Sequence, residues 1–384
     1  MGPRKPSLEY ISLQKLNLQK QKGRDDSNEE AYQCLERLAN GALKSGPFSI
    51  TFHKAAPHIA PSADTRDFLS YAPYWWPVDP QDPNTKYIRK DGQRNPDITV
   101  VKDQFQLESL AENLAYLCLG YYFFSKENYA IHATSLLDTF FVNEKTRMNP
   151  NLNYVQLVRG SQNSKKIGRG EGVISSRELS RIANIIPLLD TFHGFDTLKQ
   201  HVKNWFGLYL NWLQESPVAL EASKAKNNIY TWYMVQLVSV QHFVDPLNVK
   251  TPKMLLKFFN ESLLKQIDIK NGNQPLESKR AKPFHYLAFN MQAIIFLAQI
   301  AQSIGLNFYS PDGIIHLAIN YITRLAGPQC KDDITEAVRW VEIVLCEIDD
   351  RDGCCSKFIE KAYQSKDAEK IKGPKFELKK LWSC

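Results

Sequence analysis

Phe105–Phe124, FQLESLAENLAYLCLGYYFF, decides the fold class of this 384-residue chain. Its apolar residues fall on more than one face of a 3.6-residue repeat, as they do in a helix buried all round. The same period recurs in Ala130–Val142, Arg177–Phe192, Leu198–Leu213, Thr231–Val244, Met254–Ile267, Phe284–Ile304, Ile314–Leu325 and Asp333–Ile348. Ser176 before Arg177, and Gly327-Pro328 after Leu325, are start and stop signals. No series of alternating strands with turn dipeptides is present, and no G-x-G-x-x-G follows a strand. The chain therefore reads as all-α. No repeat consensus is visible and long irregular connections interrupt the helices, which favours an (α/α) toroid, an incomplete α/α barrel, over a solenoid.

Between the helices, the Pro-rich stretch Ser62–Thr99 shows almost no helical pattern, and a connection that long in a compact domain is usually functional. Residues 1–30 and 364–384 are rich in Lys and acidic side chains and read as solvated or loosely packed. The expected organisation is an N-terminal extension over 1–34, partly disordered, a helical body over 35–350, and a Lys-rich tail over 351–384.

Composition narrows the function. A 43% hydrophobic and 23% charged chain is not a disordered one. No run approaches 18 uninterrupted apolar residues, so no membrane span is expected. Lys and Arg outnumber Asp and Glu by 48 to 41, which suits an anionic partner without naming it. Nucleic acid is a poor candidate, because zinc-finger spacing, RNP-type aromatics and long basic helices are all missing. The 17 Tyr, 20 Phe and 7 Trp can line a sugar-binding surface or simply fill the core. The seven cysteines include no C-x-x-C, and a disulfide framework is not required, although Cys330 can pair with Cys354 or Cys355. The eight histidines lack metal-ligand spacing, and neither metal nor cofactor is implied. His53 and His58 lie near the Pro-rich stretch. MGPRKPSLEYISLQKLNLQKQKGRDD lacks the apolar core of a secretory signal. Asn260-Glu261-Ser262 is a glycosylation sequon, relevant only to a secreted chain.

Four stretches carry chemistry. In Ser70–Pro96, Tyr74, Trp75 and Trp76 precede Arg89, Lys90 and Arg94. Aromatic faces pack against sugar C–H surfaces and cations pair with carboxylates, so the set suits an anionic polysaccharide; it also suits a loop pinned by its tryptophans. In Met148–Leu179, the Asn-rich MNPNLNY, with Asn153 and Tyr154, is followed by the Gly-x-Gly-x-Gly run of GRGEGVISSREL. Such a run offers backbone N–H groups to a ligand, or is only the entry to a helix. In Lys226–Gln236, Asn227 and Asn228 open a helix that carries Tyr230 and Tyr233; Asn here is a cap or a carboxylate ligand. In Gly272–Ala293, His285-Tyr286 begins a long apolar helix just after Arg280 and Lys282. A cation so placed can hold an anionic substrate beside the phenol.

Taken in order, APYWWPVDP…YIRKDGQRNP, MNPNLNY, GRGEGVISSREL, WLQESPVALEASKAKNNIYTWYMVQ and GNQPLES…HYLAFNMQA resemble the alginate lyase superfamily, in its fungal and bacterial polyuronate lyase branch. The resemblance spans about residues 35–325. It implies an (α/α) toroid with a central cleft, extracellular action, and β-elimination on a uronic-acid polymer such as alginate or a glucuronan-like chain by a monomer without cofactor. Asn228 then matches the Asn of the family's Asn-His pair, Arg280 its upstream Arg and Tyr286 its catalytic Tyr, with Asn228 and Arg280 neutralising the uronate carboxylate. The sequence departs from the family where the His of that pair is Ile229, where the Gly of WLxxSxxG gives way to SPVALE, and where Ser175 replaces an Asp. An aliphatic side chain can neither titrate nor donate a hydrogen bond. Either His285, Tyr230 or Tyr233 takes over that work, or the protein binds polyuronates without cleaving them. A toroidal glycoside hydrolase would need two facing carboxylates; Glu171, Glu178 and Glu221 are the candidates, and nothing in the sequence pairs them.

Overall fold

The computed structural model describes residues 8–382 apart from 83, 162, 164, 165 and 328. Its α-helices are, in chain order, α1 (Leu13–Lys22), α2 (Glu29–Ala42), α3 (Asp103–Phe124), α4 (Glu127–Leu137), α5 (Glu178–Ile185), α6 (Asp196–Glu215) and α7 (Pro217–Ser223). There follow α8 (Asn228–Val244), α9 (Lys250–Lys257), α10 (Pro275–Ser278), α11 (Pro283–Ser303), α12 (Ile314–Leu325), α13 (Val338–Leu345), α14 (Cys354–Gln364) and α15 (Pro374–Glu377). Four strands of three or four residues are β1 (Leu69–Tyr71), β2 (Trp75–Pro77), β3 (Tyr87–Arg89) and β4 (Tyr154–Leu157). The helices fall into two compact units: residues 8–37, 226–231 and 248–382, and residues 38–225 with 232–247.

In the second of these units α3 is the core helix. Leu107, Leu110, Ala111, Leu114, Leu117 and Cys118 are fully buried on it. It stops at Ser125, whose backbone is left-handed (φ 54°) and whose N–H closes onto the Tyr121 carbonyl. The periodic stretch Arg177–Phe192 yields a shorter helix than its pattern suggests: Pro187 cannot continue α5, which tightens into a 3-10 turn over Ile186–Leu189. Likewise α4 ends in a π turn over Asp138–Val142. Strand β1 pairs with β4 in parallel, Leu69 opposite Tyr154, with an irregularity before Tyr71 meets Leu157. There Gln156 takes a left-handed φ of 45°, and the Ser70 hydroxyl accepts its N–H at 2.9 Å in place of a ladder bond. The Pro-rich stretch is not structureless: β2 and β3 form an antiparallel hairpin, with Trp75 opposite Arg89 and Trp76 opposite Ile88.

In the first unit α11 is the core helix. Pro283 occupies its first turn, where the missing N–H costs nothing. By length and composition α11 could cross a membrane, but 83% of its most apolar window is buried inside the protein, as in a core helix. The chain ends, expected to be loose, are packed over their described residues. Ser12 caps α1, accepting from the Lys15 N–H, and Leu8, Ile11 and Leu16 are buried. Arg339 holds Glu9 at 2.7 Å, and Lys379 holds Glu342 at 2.6 Å. Phe358, Ile371, Leu378 and Leu381 are buried as well. Several of the charges that made these segments look solvated are ion-paired, while the sparse aliphatics between them supply the packing. Cys330, Cys354 and Cys355 are free, so the bridge that the sequence allowed among them does not form, and it is Cys346 that is disulfide-bonded.

Candidate active site

The first unit brings Asn228, Arg280, His285 and Tyr286 into one chain of contacts. Asn227 caps α8, its side-chain oxygen accepting the Ile229 N–H at 3.3 Å. Asn228 is thereby the first helical residue, with an N–H that no turn of its own helix can satisfy. Glu277, on the next-but-one helix, satisfies it instead. One carboxylate oxygen accepts the Asn228 backbone N–H at 2.8 Å and the other accepts its side-chain amide at 2.7 Å. Both residues are buried, Glu277 at 1% exposure. Burial pushes the Glu277 carboxyl up from its ordinary pKa, opposed by the two bonds from Asn228 and by the charge of Arg280.

Arg280 follows Glu277 by one turn, its N–H bonded to the Glu277 carbonyl at 3.0 Å. Its guanidinium carbon lies 3.7 Å from the centroid of the Tyr286 ring. Short helix α10, which carries Glu277, is held to α11 by Asn290, whose amide donates to the Gln274 side chain at 2.8 Å. Thr231 donates to Gln266 at 3.1 Å in the same buried polar layer. The start of α11 is fixed by Asp332, which accepts the Phe284 N–H at 3.0 Å.

His285 is directed differently from Tyr286. Its ring meets the Tyr286 ring edge-on at 5.1 Å, stacks on Phe289, and its Nδ1 lies 2.6 Å from Glu336 Oε2. Tyr230 is half-buried, its hydroxyl 3.2 Å from the Ser262 hydroxyl. Ile229 is half-buried at the second position of α8.

The remaining candidates belong to the second unit and are described within it. Trp75 and Trp76 are half-buried on β2. The Trp76 indole donates to the Gln93 carbonyl at 2.9 Å, and Lys90 lies over its ring at 5.3 Å. Arg169, which the sequence reading passed over, lies over the Trp75 ring at 5.2 Å and pairs with Glu171 at 2.8 Å; Arg89 reaches the same carboxylate at 3.8 Å. Asn95 ties the base of the hairpin, donating to the Trp75 carbonyl at 2.9 Å and to the Pro73 carbonyl at 2.7 Å. The backbone of Tyr74 accepts the Lys90 N–H, and Arg94 is exposed. Tyr154 sits half-buried on β4, and Asn153 accepts the Trp212 indole N–H at 2.8 Å. Tyr233 is turned inward, its hydroxyl donating to the Leu213 carbonyl at 3.0 Å.

The glycine run is a packing device. A Cβ on Gly168 would stand 2.5 Å from the Val155 carbonyl oxygen, and one on Gly170 would stand 2.6 Å from the Ala222 nitrogen. The Gly170 N–H is spent on Glu221 at 2.9 Å. With Glu178 beside Arg181 and Glu171 held by Arg169, each carboxylate weighed for a hydrolase is engaged with its own partner. Among the described residues no group of three or more His, Cys, Asp and Glu is placed to hold a metal ion.

The sequence model of the alginate lyase family matches residues 51–328. An alginate lyase from Bacteroides ovatus, known from its crystal structure, is 29% identical with a TM-score of 0.84, over 98% of this chain and 100% of that one. Alginate lyase A1-III from Sphingomonas species A1 is 14% identical with a TM-score of 0.52, over 98% and 95% of the two chains. A tetrasaccharide complex of an A1-III variant gives 14% and 0.50, over 91% and 94%; at that identity the likeness shows the fold. No curated protein sequence matches the chain significantly. The fold class is the mostly helical, (α/α) toroid-like one, with no closed sheet among the described residues. The chain belongs to the alginate lyase family, and so to the polysaccharide lyases, carbon–oxygen lyases of uronic-acid polymers.

Proposed function

We propose that the protein cleaves alginate or a glucuronan-like chain by β-elimination, with Tyr286 as acid and base and with Asn228 and Arg280 neutralising the uronate carboxylate. The placement of the Arg280 guanidinium over the Tyr286 ring, one turn from the carboxylate that holds Asn228, carries this reading. The C5 proton becomes removable once amide and guanidinium groups draw charge from the neighbouring carboxylate. The phenolate of Tyr286 takes that proton, the C5–H electron pair forms the C4–C5 double bond, and the C4–O4 bond breaks. The O4 alkoxide leaves with the proton that the same phenol returns. Trp75, Trp76, Arg89, Lys90 and Arg94 hold the polymer in this reading.

Ile229 favours a second reading, a polyuronate-binding protein that does not turn substrate over, since it cannot supply the family's His. Purified protein incubated with alginate and glucuronan, followed by the ultraviolet absorbance of the unsaturated product, separates the two. Turnover that Tyr286→Phe abolishes is the expected result. Binding without any unsaturated product would overturn the lyase reading in favour of the second.

A further inference from the structure

We infer that Glu277 is a positioning residue of this site: an anionic clamp that fixes the Asn228 amide and steadies Arg280 for the substrate carboxylate. The inference rests on the lyase reading above and adds to it a residue that never meets the sugar.

A buried carboxylate without partners is costly. Glu277 is 1% exposed, so it persists there only if donors and a cation compensate it. Its compensation comes from the groups assigned to the reaction: two bonds from Asn228, one per carboxylate oxygen, and the field of Arg280. The two bonds leave the Asn228 side chain no rotation, because its amide nitrogen and its own backbone N–H are tied to one planar group. One amide hydrogen points at Glu277, so the other, fixed in the same plane, is aimed away from it. An Asn free to rotate about χ1 and χ2 would have to be ordered at every turnover, and preorganised donors stabilise developing charge more than mobile ones do.

Glu277 also sets the register of Arg280. Its carbonyl accepts the Arg280 N–H across one turn, so the residue that anchors Asn228 also begins the turn that delivers the guanidinium to Tyr286. Gln274, the residue before α10, is gripped by Asn290 of α11, the helix that carries Tyr286. The carboxylate therefore sits on α10, with the guanidinium in the turn that follows it and the phenol in the first turn of α11.

Glu277→Gln tests this, because it keeps the size and one acceptor but turns the other oxygen into a donor facing Asn228. The expected result is a fall in kcat of about 100-fold with KM changed less than about threefold. Asn228→Ala combined with Glu277→Gln should lose less than the product of the two single losses, since both act through one amide. A merely structural role would instead lower the melting temperature and give multiplicative losses. Glu277→Asp, which keeps the charge but withdraws it by one methylene, covers the case in which the Gln variant does not fold, and should lose kcat to a similar degree. Calorimetric binding of a uronate tetrasaccharide, read in a Tyr286→Phe background, provides an arm independent of turnover: Glu277→Gln should weaken it by about twofold to threefold, in line with KM, while leaving the methyl-esterified tetrasaccharide unaffected. Unchanged kcat and unchanged binding overturn the role of Glu277 while the lyase reading stands. A wild-type protein without turnover whose binding still depends on Glu277 overturns the lyase reading and leaves the clamp intact.

Discussion

The guanidinium carbon of Arg280 lies over the ring of Tyr286, 3.7 Å from its centroid, across the junction between α10 and α11. A planar, delocalised cation fits a ring face and a carboxylate at the same time, and an ammonium does not. Arg280→Lys is therefore expected to lower kcat/KM on a polyuronate by about 10- to 100-fold, the worth of a hydrogen bond to a charged group. Steady-state kinetics checks this, and a Lys variant with wild-type kcat/KM would show that charge alone suffices.

Restoring an imidazole beside Asn228 probes the other end of the same site. Ile229 is half-buried at the second position of α8, so a His there requires no rearrangement of a closed core. Ile229→His is expected to raise turnover by at least about tenfold, within the usual range for an added acid–base group. The rate of unsaturated product formation, measured across pH, reads it directly. Equal rates for the two proteins would mean that the native site already has all the proton transfer it needs.

The buried pair Lys54–Asp103 makes a prediction about pH and stability. The ammonium lies 2.8 Å from the carboxylate with both side chains 2% exposed, and it also donates to the Asp67 carbonyl. Asp103 further accepts the Leu69 N–H at 2.7 Å, fastening β1 to the first residue of α3. Burial raises the Asp103 carboxyl from 3.8 to about 6, against the pull of Lys54. A carboxyl that keeps its proton more tightly when folded favours the native state in acid. That contribution is complete below about 3.8 and is lost as pH rises through about 6. Lys54→Met removes the cation and pushes the carboxyl higher still. The variant should lose about 3–5 kcal/mol at pH 7, and the deficit should shrink as pH falls toward 4. Urea unfolding at several pH values measures both; a deficit that ignores pH would contradict the assignment.

Gly170 tests whether the glycine run is packing or ligand recognition. An added Cβ meets the Ala222 backbone nitrogen at 2.6 Å, and backbone cannot yield as a side-chain tip can. Gly170→Ala is expected to destabilise the protein by about 1–3 kcal/mol. Thermal unfolding supplies the measurement, and an unaltered melting temperature with weakened polymer binding would return the run to the ligand.

The helical class was legible from periodicity, because α3 and α11 owe their form to apolar residues that lie next to one another along the chain. The proximity of Arg280 to Tyr286 was legible for the same reason, six residues apart on either side of the start of α11. The capping role of Asn227 was also within reach, since a cap is a local bond. Glu277 was not, because its bonds to Asn228 join residues 49 positions apart. The only local hint was its place one turn before Arg280 in GNQPLESKR. The glycine run left two readings open because sequence shows permissive backbone without showing what approaches it. The terminal segments misled because composition counts charges and cannot pair them.

Strand pairing of β1 with β4 has a kinetic consequence. A parallel pair cannot be closed by a tight turn, and this one joins residue 69 to residue 154 with α3 and α4 in between. Closing so long a loop costs entropy that local contacts do not repay, so the pair is expected to form after these helices have condensed. The tryptophan hairpin β2–β3 follows directly from β1 in the chain. The seating of Trp75 against Arg169, which lies beyond β4 in the chain, is therefore acquired late in folding, and a refolding experiment that reports on Trp75 would lag one that reports on helix content.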